Sequence, residues 1–105
     1  MIVAFDFDGT ASEPQIKDLI LKLVKEKNEV WIVTMRKDNE FNRAKIAPVL
    51  KQIGLTMASV IFCNEKPKLE VLKMINADMY VDNISDEFSD INNHSNTVSL
   101  LFKTH

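Results

Sequence analysis

The chain has 105 residues, and 13 Lys and Arg set against 15 Asp and Glu leave a formal net charge of −2. With 46% hydrophobic and 27% charged residues, it has the composition of one ordinary globular domain spanning residues 1–105, not of a disordered chain. The balanced charge excludes bulk nucleic-acid binding, no apolar run approaches the ~18 residues of a membrane span, and the single Cys63 allows no internal disulfide. The N-terminus lacks the basic flank of a secretory signal, so a cytoplasmic protein without membrane partners is expected.

Ile2-Val3-Ala4-Phe5 is a short apolar run ending in charge, the pattern of a strand buried on both faces. Ser12-Glu13-Pro14-Gln15 then reads as a helix start, with Ser12 as N-cap and Pro14 in the first turn. Ile16, Leu19, Ile20, Leu23 and Val24 recur at helical spacing and form one apolar face. Val30 to Val33 is a second buried strand, stopping at Thr34. Residues 38–53 read as helical, with Pro48 breaking or restarting the helix and Gly54 at a left-handed C-cap. Ser59 to Cys63 is a third strand, and Pro67 opens a helix carrying Leu69, Leu72 and Ile75. Met79-Tyr80-Val81 is a short fourth strand ending at Asp82. Asn92 to Asn96 is a polar loop with a solvent-facing His94, and Thr97 to Phe102 a fifth strand. Trp31 and Phe62 lie in apolar runs and are assigned to the core. Strands alternating with helices predict an α/β fold, a Rossmann-like three-layer α/β/α sandwich on a five-stranded parallel sheet.

In such a sheet, reactive groups gather beyond the carboxyl ends of the strands. Those ends carry Asp6 and Asp8, then Thr34, then Lys66 or Lys68, then Asp82 and Asp86. Acids facing one spot repel unless a cation or proton is shared, and an all-oxygen cluster suits Mg2+ completed by phosphate and water. Each residue alone has a bland reading: a surface Asp-x-Asp, a strand-terminal Thr, solvated lysines, a turn acid. Their joint placement after four successive strands is the specific signal. Arg36 and Lys37 follow Thr34 and read first as a solvated helix-entry pair, second as contacts to a further phosphate.

Asp6-Phe7-Asp8-Gly9-Thr10 after an apolar strand resembles the first motif of the haloacid dehalogenase (HAD) superfamily. Val30 to Thr34 is similar to its second motif, Lys66-Pro67 to its third, and Asp78 to Asp86 to its fourth, in the family's order. The resemblance implies that Asp6 is the nucleophile and Asp8 the general acid and base. It also implies that Thr34 and a lysine bind phosphate oxygens beside the Gly9-Thr10 turn. Lys66 matches the Lys-Pro form of the motif and is preferred to Lys68. Mg2+ would be held by Asp6, the main-chain carbonyl of Asp8 and Asp82, with Asp86 supporting it directly or through water. Asn83 departs from the family's paired acids, and the loop after Thr10 leaves only a minimal flap.

Neither residues 11–29 nor residues 35–57 can hold a cap domain, which aligns the chain with the family's capless branch. Such open sites take large substrates or are closed by another subunit, so a homo-oligomer is one route to selectivity. The expected activity is Mg2+-dependent hydrolysis of a phosphomonoester, either a small molecule or a macromolecular end, with a nucleotide or nucleic-acid-end phosphate the first substrate. The competing reading is a non-catalytic phosphate- and metal-binding regulatory module. A receiver-like domain ranks third, because its phosphoacceptor position falls at Cys63-Asn64.

Overall fold

The computed structural model describes residues 1–103. Its strands are β1 (Ile2–Phe5), β2 (Glu29–Thr34), β3 (Val60–Phe62), β4 (Met79–Asp82) and β5 (Val98–Leu101). They form one all-parallel sheet in the order β3-β2-β1-β4-β5. The α/β class and the five-stranded parallel sheet agree with the sequence reading. The chain winds outward from β1 to β3 and returns to β4 on the other side of β1. The winding therefore reverses between β1 and β4, and a crevice opens there beyond their carboxyl ends.

Helices α1 (Pro14–Lys25) and α2 (Glu40–Ile53) make up one layer, α3 (Leu69–Met74) and α4 (Phe88–His94) the other. Alternation along the strands divides the core. Val3, Phe5, Val30, Ile32 and Val81 pack with Ile16, Ile20, Ile46, Leu50 and Ile53 of the first layer. Ala4, Val33 and Tyr80 pack with Leu72 and Ile91 of the second. No helix of the described residues is long and apolar enough to cross a membrane.

Several local expectations are corrected. Glu13, not Ser12, is the N-cap of α1, with Pro14 at the first helical position. The Ser12 hydroxyl instead accepts from the Gly9 N–H at 3.1 Å, closing the turn after β1. Helix α2 runs unbroken through Pro48, with Asn39 capping the N–H of Asn42 at 2.8 Å and Gly54 ending it at φ 74°. A proline inside a helix costs about 3 kcal/mol, which burial of Ile46, Leu50 and Ile53 offsets. Strand β3 is shortened because Met57–Ser59 coil into a 3-10 turn. Asn92 to His94 are the last turn of α4, not loop; Ile91 is the only buried residue of that helix, so its apolar pattern was too sparse to read. Trp31 and Phe62 are only half-buried: the indole N–H donates to Glu29 at 2.6 Å, and the Arg43 guanidinium lies over the Phe62 ring at 5.7 Å.

Candidate active site

After β1 the chain makes a compact turn closed by two hydrogen bonds to carbonyls five residues back, Ala11 N–H to Asp6 (3.0 Å) and Ser12 N–H to Phe7 (3.1 Å). Gly9 enters it at φ 73°, which a side-chain-bearing residue rarely adopts. The Asp6 N–H donates across the crevice to Val81 at 2.9 Å, fixing the end of β1 against β4.

The Asp6 carboxylate is nearly buried and divides its two oxygens between different neighbours. Oδ1 accepts from the Lys68 ammonium at 2.7 Å, and Oδ2 accepts from the Thr10 hydroxyl at 3.4 Å. Lys68 is 2% exposed; its Nζ also donates to the Tyr80 hydroxyl at 2.5 Å and lies 3.5 Å from Asp82 Oδ2. Tyr80, fully buried on β4, donates in turn to Asp82 Oδ2. Asp82 Oδ1 accepts from the Ile84 N–H at 3.1 Å. Burial pushes the Asp6 carboxyl up to about 6; Lys68 pulls against this, and the Asp82 charge adds to it. Burial first and the Asp82 carboxylate second raise the Tyr80 phenol, which therefore stays a protonated donor.

The inward atom of the Asn83 side-chain amide faces Asp82 Oδ1 (3.0 Å), Asp8 O (3.1 Å), Asp6 Oδ2 (3.2 Å) and Thr10 Oγ1 (3.3 Å). The carboxylate and carbonyl oxygens can only accept, which identifies that atom as the nitrogen. Gly9 packs against the same amide, and a Cβ at position 9 would overlap it.

Asp8 turns the other way. Its carboxylate receives both arms of Arg36, Nε at 2.9 Å and Nη2 at 2.8 Å, at the mouth of the site. Asn42 (2.7 Å from Nη1) and the Phe7 ring (6.0 Å) hold that guanidinium in place. Arg36 is thus bound to the neighbouring acid, not to solvent alone. Thr34 is buried at the end of β2, and its hydroxyl accepts from the Arg36 N–H at 3.2 Å.

Asp6, Asp8, Arg36, Lys68, Asp82 and Asp86 line one open cleft of about 540 Å³. Lys66 does not: it is exposed and borders a separate hollow between Phe62 and Leu69. The preference for Lys66 is therefore corrected to Lys68. Asn64 and Glu65 take left-handed conformations (φ 53° and 66°) that spend two residues on a turn, which brings Lys68 to the start of α3. The Glu87 carboxylate holds the Lys68 N–H there at 2.9 Å. Gly9 and Thr10 lie beneath Asp6, outside the residues lining the cleft.

The expected four-carboxylate metal cluster is also corrected. Among the described residues no three His, Cys, Asp or Glu side chains gather as a metal group. The Asp8 carboxylate is drawn off by Arg36, and Asp86 stands exposed on the rim. The oxygens that do converge are Asp6 Oδ2, Asp82 Oδ1 and the main-chain carbonyl of Asp8, around the Asn83 amide. This hard, all-oxygen donor set fits Mg2+ in kind, once the amide turns its own oxygen inward.

Comparison with known proteins finds no family model that matches the chain and no curated relative. Two residues of the site were missed in the sequence. Asn83 read as a lost acid, although it is the side chain on which the other oxygens converge. Tyr80 read as part of an apolar strand; the usable signal was its position two residues before Asp82, on the same strand face.

Proposed function

We propose that the chain is a Mg2+-dependent phosphomonoester hydrolase of the HAD type, acting through an aspartyl-phosphate on Asp6. The observation that carries this reading is the nearly buried Asp6 carboxylate, at the sheet crevice, bound at 2.7 Å by the buried Lys68 and opening on a cleft wide enough for a phosphate ester. The order of the four sequence motifs supports it.

Asp6 attacks phosphorus and the ester P–O bond breaks, giving an acyl phosphate that water then cleaves. Lys68 offsets the charge on Asp6 and keeps one N–H for a phosphate oxygen, joined by the Thr34 hydroxyl. Asp8 gives a proton to the departing oxygen and removes one from the attacking water. To do so its carboxyl must leave the Arg36 fork, and a substrate anion taken up by Arg36 would release it. Asp6, the Asp8 carbonyl, Asp82 and the Asn83 side-chain oxygen would hold Mg2+, with Asp86 acting from the rim through water. Bound there, the ion would neutralise charge on the transferring phosphoryl group.

The open cleft fits a nucleotide or nucleic-acid-end phosphate, with a second subunit as a further source of closure. Wild-type protein should hydrolyse an aryl phosphate in Mg2+, and Asp6→Asn should reduce the rate to background. Folded, Mg2+-loaded protein that is inert across a broad phosphomonoester panel would overturn the reading. The Arg36–Asp8 fork favours a second reading, a regulatory module that binds phosphate without turnover. Uptake of beryllofluoride with Mg2+ but no hydrolysis would select that one.

A further inference from the structure

Tyr80 has no part in the chemistry above, yet its hydroxyl is the hub of the buried polar groups. It accepts from Lys68 Nζ at 2.5 Å and donates to Asp82 Oδ2, and its ring meets Phe88 edge-on at 6.4 Å. Each carboxylate of the pair is thereby divided in the same sense. Asp6 turns Oδ1 to Lys68 and Oδ2 to the Asn83 amide. Asp82 turns Oδ2 to Tyr80 and Oδ1 to that amide. An ammonium on four methylenes and a carboxylate on one have rotational freedom that burial alone does not remove. A rigid phenol bonded to both removes it, and leaves one carboxylate oxygen of each acid facing the same point.

We infer that Tyr80 is a positioning residue of this site: its hydroxyl sets Lys68 toward the phosphate and presents Asp82 Oδ1 to the cation position. The inference rests on the phosphatase reading for its kinetic part and on geometry alone for its binding part. The ring supplies packing and the hydroxyl supplies alignment, so the two roles separate by substitution. Tyr80→Phe keeps the ring and the Phe88 contact. Phe88→Leu loosens the ring and leaves the hydroxyl.

Tyr80→Phe should lower kcat for an aryl phosphate by roughly 10–100-fold while KM moves less than about threefold. It should weaken Mn2+ binding, read by electron paramagnetic resonance without substrate, by about tenfold. Phe88→Leu should lower the Tm yet leave kcat and Mn2+ binding within about twofold. Folded Tyr80→Phe with wild-type kcat and wild-type Mn2+ affinity overturns the inference. If wild-type protein hydrolyses nothing, the phosphatase reading fails by itself, and the two Mn2+ isotherms still decide the role of Tyr80. Tyr80 is the only tyrosine of the chain, so meta-fluorotyrosine labels this position alone. Its fluorine resonance should move when Mg2+ and beryllofluoride are added, and a resonance that stays fixed overturns the inference even if Tyr80→Phe does not fold.

Discussion

The two helical layers are held to the same sheet by different means. The α1–α2 layer has helices of 12 and 14 residues and the larger of the two buried apolar clusters. The α3–α4 layer has helices of 6 and 7 residues, too short to be stable without tertiary support. Hydrogen bonds supply that support. Glu87 holds the Lys68 N–H at 2.9 Å, Thr97 donates to the Ala77 carbonyl at 2.7 Å, and Asn92 accepts from the Ser99 N–H at 3.0 Å. Tyr80 and Lys68 are buried on this side. Burial is non-directional and tolerates a shift, whereas a buried ammonium bonded to two acceptors fixes direction as well as distance. The layer with less apolar material is the one that fixes the positions of reactive groups.

The most severe way to break this contrast is Lys68→Met, which leaves two neighbouring carboxylates buried without their cation. The expected cost is on the order of 3–5 kcal/mol at neutral pH with loss of phosphoryl transfer, measured by urea unfolding and turnover. Ile20→Ala, fully buried in the other layer, should cost about 2–5 kcal/mol and leave turnover per folded molecule unchanged. If Lys68→Met matches Ile20→Ala in sparing turnover, the contrast between the layers fails.

A proton titration sharpens the same point. Burial pushes the Asp6 carboxyl up to about 6 against an ordinary 3.8, so the folded state binds its proton more tightly than the unfolded state does. Its contribution to stability is complete below pH 3.8 and is lost as pH rises through about 6. Unfolding in chelator should therefore show this slope in wild type and not in Asp6→Asn. The smallest effect belongs to Lys66→Ala: exposed and away from the cleft, it should change stability by less than about 0.5 kcal/mol and leave turnover intact. A large loss of turnover there would move the proposed phosphate contact from Lys68 to Lys66.

The sheet was legible because β1, β2 and β4 announce themselves as apolar runs that stop at a polar residue, Phe5-Asp6, Val33-Thr34 and Val81-Asp82. Strand ends also place side chains at one edge, so Asp6, Asp8 and Asp82 could be assigned to the cleft from order alone. What was not legible depends on loop conformation. Lys66 and Lys68 both follow a turn whose two left-handed residues, Asn64 and Glu65, carry no glycine to mark it, so spacing alone does not say which lysine enters the cleft. The diversion of Asp8 depends on Arg36, 28 residues away, and no local spacing encodes such a contact. Helix α4 escaped notice because a single buried side chain, Ile91, leaves no period to detect.

The close approach of Gly9 to the Asn83 amide has a consequence for how this chain can vary. A side chain at position 9 would collide with that amide, and the amide has nowhere to retreat without leaving Asp8, Asp6 and Asp82. Positions 9 and 83 therefore do not accept change independently. Loss of the amide would relieve the collision at position 9 but not its positive φ of 73°. Substitutions at the two sites should be non-additive, and the turn after β1 and the end of β4 form one mutational unit though far apart in the chain.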